Sequence, residues 1–399
     1  MFKGALPGFR DFYPQELAER AYIMSTWREV ARRYAFVEYD GPPLEPLELY
    51  TKKSGDEIVG QLYSFLDKGE REVALRPEMT PTVARMVAAR ANALRKPVRW
   101  FSMPQLFRYE RQQKGRLREH YQLNVDLFGA SEVAADAELL AVALDIMRAF
   151  GLTPDDIVAR VSDRRILTAY LASLGVTAGG MDAAYGVIDK LERTPRDVSA
   201  ERLAALGLAP SAVEALLGIQ AATLADVARV VTGADAAVVE EFAQYQRYLE
   251  ALGVGAYVRF DLSIVRGLAY YTGIVFELFD RSGEFRAVAG GGRYDTLLAS
   301  LGGADLPALG FGMGDVVLGE LLRARGLMKA VPERADVWLA AAETEPLERV
   351  MREAAARRGA GQSVEYALRP QSLSKQKKAA QASGAQEFVT LSTDDGRNG

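Results

Sequence analysis

The sequence predicts an α+β protein in which helices flank an antiparallel sheet, with a helical insertion and a small C-terminal α/β module. Two long strand patterns at residues 97–110 and 119–129 predict the antiparallel pairing. Residues 163–253 are rich in Ala and Leu and have a helical pattern nearly throughout. Residues 335–394 alternate strand and helix patterns, which is typical of an α/β sheet.

The same patterns predict where the parts begin and end. We expect the first part of the main domain at residues 1–162 and its second part at residues 254–327. The helical insertion at residues 163–253 separates these parts, and the α/β module occupies residues 335–399. The segment 327–334 before the module is interpreted as a linker.

Local patterns predict the elements of the N-terminal region. Apolar residues recur every three or four positions in residues 17–34, which predicts a helix, and the Gly-Pro-Pro turn at 41–43 ends this region. Residues 61–66 and 72–76 are strand-like and flank an Asp-Lys-Gly turn. A second helix is predicted at residues 81–94.

The next region centres on the two long strands. The charged, glycine-containing segment 111–118 joins them into a predicted hairpin, which an amphipathic helix follows at 132–150. After the insertion, glycine-rich strands return at 256–294 and a helix lies near 312–325. The C-terminal module is predicted to contain a strand at 336–341, a helix at 346–358, a strand at 363–368, a basic helix at 373–382 and a strand at 387–391.

The composition excludes several kinds of site. The chain has no cysteine, which excludes disulfides, thiolate nucleophiles and iron–sulfur clusters. Its single histidine, His120, cannot build a metal site from several imidazoles. The formal net charge is −4, so any nucleic-acid surface must be a local patch. The N-terminus lacks the apolar region of a signal peptide, and we find no apolar run of about 18 residues. We therefore expect a cytoplasmic protein without a membrane partner.

The predicted hairpin loop concentrates positive charge. Arg108 and Glu110 are two residues apart in a strand and therefore share a face. A guanidinium beside a carboxylate suits a nucleotide, because the first binds phosphate and the second accepts from a base amine or holds magnesium. A solvated charged turn would show the same pattern. The cations of this segment are Arg108, Arg111, Lys114, Arg116 and Arg118.

Polar residues in two other segments are candidates for ligand binding. Gln122 and Asp126 share a strand face and are placed to hydrogen-bond a ligand, although a half-buried strand with satisfied polar groups explains them too. Glu78 and Thr80 lie between two prolines that hold the backbone extended, so the carboxylate can bind an ammonium group. The alternative for Thr80 is an N-cap of the following helix.

Two further features suggest a dry phosphate site. Arg266 lies in an otherwise apolar segment, where a cation needs a partner. A fixed guanidinium there would stabilise charge developing on a phosphoryl group, whereas a buried salt bridge is the alternative. The glycines at 290–292 permit close approach of backbone or ligand, or form a tight turn or bulge. The P-loop motif is absent from the sequence.

Taken together, these segments resemble class II aminoacyl-tRNA synthetases, and specifically the histidyl-tRNA synthetase family. The resemblance spans nearly the whole chain and follows the family's order. The segments that resemble family motifs are PGFRDFYP, YDGPPLE, FRYERQQKGRLREHYQLNVDLFG, RGLAYYTG and GGGRYD. The RGLAYYTG and GDVV forms resemble a subgroup that includes plant organellar enzymes.

The resemblance implies a class II fold, a homodimer packed through the YDGPPLE motif, and three substrates: ATP carried with Mg²⁺, histidine and tRNA(His). It implies that Arg108 and Arg266 hold the α-phosphate as catalytic residues, with Glu110 near adenine and Arg116 on the nucleotide. Beyond a magnesium ion that accompanies ATP, it implies no metal site built from side chains. The residues implied for histidine binding are Glu78, Thr80, Gln122, Asp126, Tyr270, Tyr271, Arg293 and Tyr294.

In the C-terminal module, the resemblance implies an anticodon-binding role, although the module is shorter than usual in the family. Its basic helix carries Lys375, Lys377 and Lys378, which the resemblance implies are contacts to tRNA phosphates. A solvated helix face is the alternative interpretation of these lysines.

The chain departs from the family at the third class II motif. That motif ends in a Glu-Arg pair, whereas Val316 and Val317 stand here, so a cation is missing. Family members commonly have aspartate at the position of Ala269 and glutamate at that of Asp126. The missing cation favours an alternative: a non-catalytic paralogue that serves as the regulatory subunit of ATP phosphoribosyltransferase in histidine biosynthesis. A nucleotide- or RNA-binding regulator is a second alternative, and the well-preserved second motif favours the synthetase over both.

Overall fold

The computed structural model describes residues 4–51, 59–110, 115–266 and 270–391. The chain divides into two compact units. The first contains Met1–Asp11 and Glu19–Lys329, and the second contains Phe12–Ala18 and Ala330–Gly399. The predicted Arg111, Lys114 and Ala269 lie outside the described residues.

The helices and strands before residue 164 follow the predicted order. The helices are α1 (Pro14–Arg33), α2 (Glu48–Thr51), α3 (Thr80–Arg90) and α4 (Val133–Ala149). The strands are β1 (Val37–Glu38), β2 (Leu44–Pro46), β3 (Tyr63–Leu66), β4 (Glu72–Leu75), β5 (Val98–Ser102), β6 (Gln105–Phe107), β7 (Glu119–Phe128) and β8 (Ile157–Asp163).

The predicted insertion is helical in the structure. Its α-helices are α5 (Arg164–Ser173), α6 (Met181–Ile188), α7 (Arg196–Ala204), α8 (Pro210–Leu217), α9 (Leu224–Val230) and α10 (Ala236–Ala251). The elements that complete the first unit are β9 (Val258–Phe260), β10 (Ile274–Asp280), β11 (Ala289–Arg293), α11 (Leu297–Ser300), β12 (Ala308–Gly314) and α12 (Asp315–Ala324).

The main sheet runs in the order β1-β5-β7-β12-β11-β10-β8-β9, with β6 paired to the first part of β7. Neighbours from β5 to β8 are antiparallel, and the edge strands β1 and β9 are parallel to theirs. This confirms the predicted antiparallel sheet flanked by helices. A separate small sheet has the order β2-β4-β3.

One strand of the predicted hairpin is interrupted. The pattern predicted a single strand over 97–110, but β5 ends at Ser102 and β6 begins at Gln105. Pro104 lies between them; it has no backbone N–H to donate, although its carbonyl accepts from the backbone N of Gln122. Both short strands still pair with β7, so the antiparallel hairpin is preserved.

Strand β7 divides its side chains between two environments. Leu123, Val125 and Leu127 point into the main hydrophobic core, which includes α4. The polar residues between them face the other side of the sheet. Helix α4 is apolar nearly all round because the sheet lies on one side of it and α10 packs on another.

The second unit contains a three-stranded parallel sheet with the order β14-β13-β15. Its elements are β13 (Val337–Ala340), α13 (Leu347–Gly359), β14 (Val364–Tyr366), α14 (Leu373–Ser383) and β15 (Glu387–Thr390). Buried Gln376 fastens α14 to the end of β13, because its amide donates to the carbonyl of Ala341 at 2.7 Å and accepts from the Ala341 backbone N at 3.2 Å. The predicted order of strands and helices is thus confirmed here.

A buried ion cluster ties the N-terminal segment to the main sheet. The Arg10 guanidinium donates to Glu119 at 2.6 Å and to Asp315 at 2.8 Å. Glu119 is fully buried on β7, and Asp315 is 5% exposed at the start of α12. Burial raises the pKa of Asp315, and the positive charge of Arg10 opposes that rise. One arginine therefore neutralises two buried carboxylates from distant parts of the chain.

Replacing Arg10 by Met should lower the free energy of unfolding by about 3 kcal/mol or more, because it leaves two buried carboxylates without their cation. Arg323→Met is the matched control, since Arg323 pairs with Glu19 while remaining 54% exposed. The control should change stability by less than about 1 kcal/mol. Urea unfolding followed by tryptophan fluorescence measures both variants, and equal losses would contradict this account.

Candidate active site

The polar face of the main sheet opens into a cavity of about 320 Å³. Side chains from β7, α3 and the segments before β7 and β10 converge on it. The predicted site residues that line it are Glu78, Thr80, Arg108, Glu110, Arg116, Gln122, Asp126, Arg266, Tyr270, Tyr271 and Tyr294. Residues nearly two hundred positions apart in the sequence therefore share one hollow.

A second cavity of about 310 Å³ adjoins the first. The two cavities share a wall that includes Arg108, Arg266 and Gln122. Beyond this wall, the second cavity is lined by His120 and by Val317 of α12. Burial lowers the pKa of His120 to about 3, and the charge of Arg108 lowers it further, so this imidazole is neutral near pH 7.

Glycines form the part of the cavity surface contributed by β11 and β12. A Cβ atom at Gly290 would overlap the guanidinium of Arg266. A Cβ at Gly310 would overlap the Asp126 carboxylate, and one at Gly312 would overlap the Gln122 amide. The predicted close approach at 290–292 therefore occurs at Gly290, where a functional side chain lies directly on the strand.

A buried carboxyl lies at the bottom of the first cavity. Asp126 is 3% exposed, and the hydroxyl of Tyr294 donates to its Oδ1 atom. Its Oδ2 atom has no hydrogen-bond partner among the described residues. Burial raises the pKa of Asp126 to about 7, and the Tyr294 hydrogen bond lowers it in part. The site thus contains a carboxyl oxygen that is buried and available to a ligand.

Three tyrosine rings surround this end of the cavity. The ring centres of Tyr270 and Tyr271 lie 5.1 Å apart, and those of Tyr270 and Tyr294 lie 5.8 Å apart. The Tyr270 hydroxyl donates to Glu78 at 3.3 Å. An apolar box with two carboxylates at its edges suits a small ligand that combines a flat ring with donor groups.

The segment around Glu78 is held by the site itself. The Arg108 Nε atom donates to the carbonyl of Pro77 at 2.9 Å, which fixes the backbone beside Glu78. The N-cap of α3 is Met79, with no side-chain cap hydrogen bond, and Thr80 is the first helical residue. The alternative interpretation of Thr80 as the N-cap is therefore wrong, and its side chain lines the cavity.

Arg266 is held in an unusual conformation. Its φ angle is +58°, a left-handed value that costs a non-glycine residue free energy and often marks functional sites. Its guanidinium donates to Glu277 at 3.2 Å and lies 5.4 Å from the Tyr271 ring centre. The Nε atom has no partner among the residues that the structure describes. The predicted alternative of a buried salt bridge is present, yet the same guanidinium also faces both cavities.

The hairpin residues of the site form an ion pair at the shared wall. An Arg116 guanidinium nitrogen lies 2.8 Å from a Glu110 carboxylate oxygen. Arg116 is 43% exposed, whereas the Glu110 side chain is 8% exposed. The carboxylate thus lies in the cavity wall, and the arginine lies at the rim of the two cavities.

The structure corrects the prediction that Arg293 lines the ligand pocket. Its side chain points to the opposite face of the sheet, where its Nε atom donates to Asp136 of α4 at 3.1 Å. It also pairs with Asp295 at 3.2 Å. Its position next to Tyr294 suggested the pocket, but consecutive strand residues point to opposite faces. Arg293 instead neutralises a buried carboxylate between the sheet and α4.

Asn124 lines the first cavity but was not predicted. It lies between Gln122 and Asp126 on the same face of β7, and its side chain accepts from the Gln122 amide at 2.8 Å. The two-residue spacing from both predicted positions is the signal that could have identified it.

The predicted tRNA contacts belong to the second unit. Lys375, Lys377 and Lys378 are all exposed on α14. Buried Gln376 lies among them and sets the orientation of the helix on its sheet. The lysines therefore present positive charge to solvent.

Comparison with known proteins shows the family. The family model described as histidyl-tRNA synthetase matches residues 8–314. The chain belongs to the histidyl-tRNA synthetase family. The histidine–tRNA ligase of Opitutus terrae is 46% identical over 398 residues, covering 98% of this chain and 91% of that protein. The chloroplastic/mitochondrial histidine–tRNA ligase of Arabidopsis thaliana is 38% identical, covering 98% of this chain and 81% of that protein. The predicted similarity to plant organellar enzymes is thus confirmed.

Solved structures show that the fold is shared. Histidyl-tRNA synthetase from a Nostoc species aligns with a TM-score of 0.83 at 24% identity, covering 98% of this chain and 92% of that chain. The ATP phosphoribosyltransferase regulatory subunit/histidyl-tRNA synthetase from Bacillus halodurans aligns with a TM-score of 0.81 at 23% identity, covering 98% of both chains. The class II fold predicted from the sequence is therefore confirmed.

Two searches of the described part of this synthetase-family chain found no match. None of its helices combines the length and the hydropathy that crossing a bilayer requires. The described residues also hold no group of three or more histidine, aspartate or glutamate side chains placed to bind a metal ion.

The pKa of Asp126 predicts how stability depends on pH. A carboxyl with a raised pKa costs no stability below its unfolded value near 4 and destabilises the fold as the pH rises through about 7. Asp126→Asn cannot ionise, so it should be more stable than the unsubstituted protein at pH 8, by up to about 4 kcal/mol. Thermal unfolding at pH 5 and pH 8 measures this. The advantage should shrink markedly at pH 5; an equal difference at both pH values would refute the raised pKa.

Proposed function

We propose that the chain is a histidine–tRNA ligase, which joins ATP and histidine into histidyl-adenylate and then transfers histidine to tRNA(His). The observation that carries this proposal is the convergence of Arg108 and Arg266 on the wall between two adjoining cavities. A phosphorus atom at that wall would lie between an amino-acid site on one side and a nucleotide site on the other.

The first reaction is an in-line displacement. A carboxylate oxygen of histidine forms a bond to the α-phosphorus, and the bond from that phosphorus to the bridging oxygen breaks, releasing pyrophosphate. Magnesium enters with the triphosphate as part of the substrate. Arg108 and Arg266 stabilise the negative charge on the α-phosphoryl oxygens, so positioning and electrostatics supply most of the catalysis.

Histidine occupies the first cavity in this proposal. Its imidazole lies in the box of Tyr270, Tyr271 and Tyr294, and a ring N–H donates to the unpartnered Oδ2 atom of Asp126. Glu78 binds the ammonium group. Thr80 and Gln122 hold the same end of the amino acid, so the carboxylate points toward the shared wall.

ATP occupies the wall and the second cavity. Glu110 lies near the adenine, and Arg116 binds the nucleotide from the rim. The neutral ring of His120 and the apolar side chain of Val317 line the far end, which suits an uncharged base.

The remaining proposals concern partners and organisation. We propose that Lys375, Lys377 and Lys378 bind tRNA phosphates and that residues 335–399 form an anticodon-binding domain. Residues 1–162 and 254–327 form the catalytic domain, and residues 163–253 form its helical insertion. We further propose a homodimer that works in the cytoplasm.

Histidine-dependent exchange of pyrophosphate into ATP tests the adenylation step. The purified protein should catalyse it, and Arg266→Ala should reduce the rate by roughly a hundredfold or more, because the variant loses a main source of charge stabilisation. Arg247→Ala is the control, since Arg247 is exposed on α10 and lies outside both cavities. Its rate should stay within about twofold of the unsubstituted protein.

Histidine binding measured without ATP separates this proposal from a regulatory role. Binding of histidine without any exchange activity would favour the regulatory subunit of ATP phosphoribosyltransferase. Exchange that persists in Arg266→Ala at the full rate would overturn the role given to the guanidinium.

A triple variant tests the tRNA proposal. Replacing Lys375, Lys377 and Lys378 by Ala should raise the KM for tRNA(His) by about tenfold and weaken the salt dependence of binding, because each lost phosphate contact lowers the salt slope by about one. Pyrophosphate exchange should be unchanged. Lys68→Ala in the turn after β3 is the control. Equal loss of exchange and charging in the triple variant would mean that these lysines are structural.

A further inference from the structure

The position that carries a cation in the third class II motif is apolar here. Val316 and Val317 both line the second cavity. The arginines at the other end of α12 do not replace that cation, because Arg323 pairs with Glu19 at 2.6 Å and Arg325 pairs with Asp280 at 2.7 Å. If a cation serves the same purpose, it must come from another element.

The rim of the second cavity brings Val317 close to the hairpin. A Cβ atom at Gly115 would lie 3.3 Å from the Val317 Cγ2 atom, so the backbone at 115 packs against α12. Arg116 follows directly and lines both cavities. A positive charge at this rim is therefore already close to the vacant motif position.

Arg286 lies on the same rim. The residues that follow it, Ala287 to Gly290, line the second cavity in succession. Its side chain is exposed, but it is close enough to Arg116 and Glu110 for both charges to act on it. Burial lowers the pKa of Arg286, Arg116 lowers it further, and Glu110 opposes the change. Two guanidiniums thus face each other across one side of the cavity.

Such an arrangement is unfavourable unless an anion lies between the cations. Arg108 and Arg266 are already assigned to the α-phosphate, and Glu110 and Glu277 offset part of the charge of the lining arginines. A bound triphosphate extends away from the α-phosphate, and its terminal phosphates carry most of its charge. A pair of arginines at an exposed rim matches that end of the nucleotide.

We propose that Arg286, together with Arg116, binds the β- and γ-phosphates of ATP and replaces the cation missing from the third class II motif. This inference rests on the proposed function. The charge is supplied by the segment before β11 and not by α12. The Val317 side of the cavity is then left apolar.

Comparing ATP with AMP tests the assignment. Arg286→Ala should weaken ATP binding, measured by calorimetry, by about tenfold or more while leaving AMP binding within about twofold, because AMP lacks the terminal phosphates. In pyrophosphate exchange, the KM values for ATP and pyrophosphate should rise and that for histidine should stay unchanged. Arg281→Ala is the matched control in the same connection between β10 and β11, since Arg281 donates to the carbonyl of Pro154.

A second variant tests the replacement itself. Val317→Arg restores a cation at the motif position, so in the Arg286→Ala background it should recover most of the lost ATP affinity. Equal weakening of ATP and AMP, or an unchanged ATP KM in Arg286→Ala, would overturn the inference while leaving the proposed function intact. Absence of any exchange by the unsubstituted protein would instead overturn the proposed function, and the ATP-to-AMP comparison would still report on Arg286.

Discussion

The site depends on two neighbouring strands that carry no side chains where they face the cavity. Gly290, Gly310 and Gly312 leave bare backbone on β11 and β12, and the side chains of Arg266, Asp126 and Gln122 occupy the space that Cβ atoms would take. A larger residue at any of these positions would push a ligand-facing group out of place. The glycines therefore fix the depth of both cavities and the positions of the groups that line them.

This arrangement places costly groups in the interior, and the rest of the fold must hold them. Asp126 is buried with one oxygen unpartnered, and Arg266 adopts a left-handed backbone conformation. Both features destabilise the empty protein. The opposite face of β7 offsets that cost, because Leu123, Val125 and Leu127 pack into the core that contains α4. Alternation along a single strand thus separates a stabilising face from a reactive one.

Much of this could be predicted from sequence because the signals are local. The two-residue period of β7, the Ala- and Leu-rich insertion and the alternation of the C-terminal module each determine an element without knowledge of distant residues. The failures concern partners that are far apart in the chain. Arg293 was assigned to the pocket because Tyr294 is adjacent, but the position of Asp136 on α4 decides where its guanidinium lies. The break at Pro104 likewise depends on how β7 pairs with two short strands.

The start of α12 shows how a family motif can change its purpose while the chemistry nearby is retained. Asp315 begins this helix, and its carboxylate accepts from Arg10 at 2.8 Å and from the backbone N of Tyr121 at 3.0 Å. The helix is therefore anchored to β7 and to the N-terminal segment, and its next residues contribute an apolar wall. A phosphate responds to the position of a positive charge and not to the segment that carries it. A guanidinium reaching the rim from the neighbouring strand connection meets the same electrostatic need, so the valines on α12 are compatible with an active site.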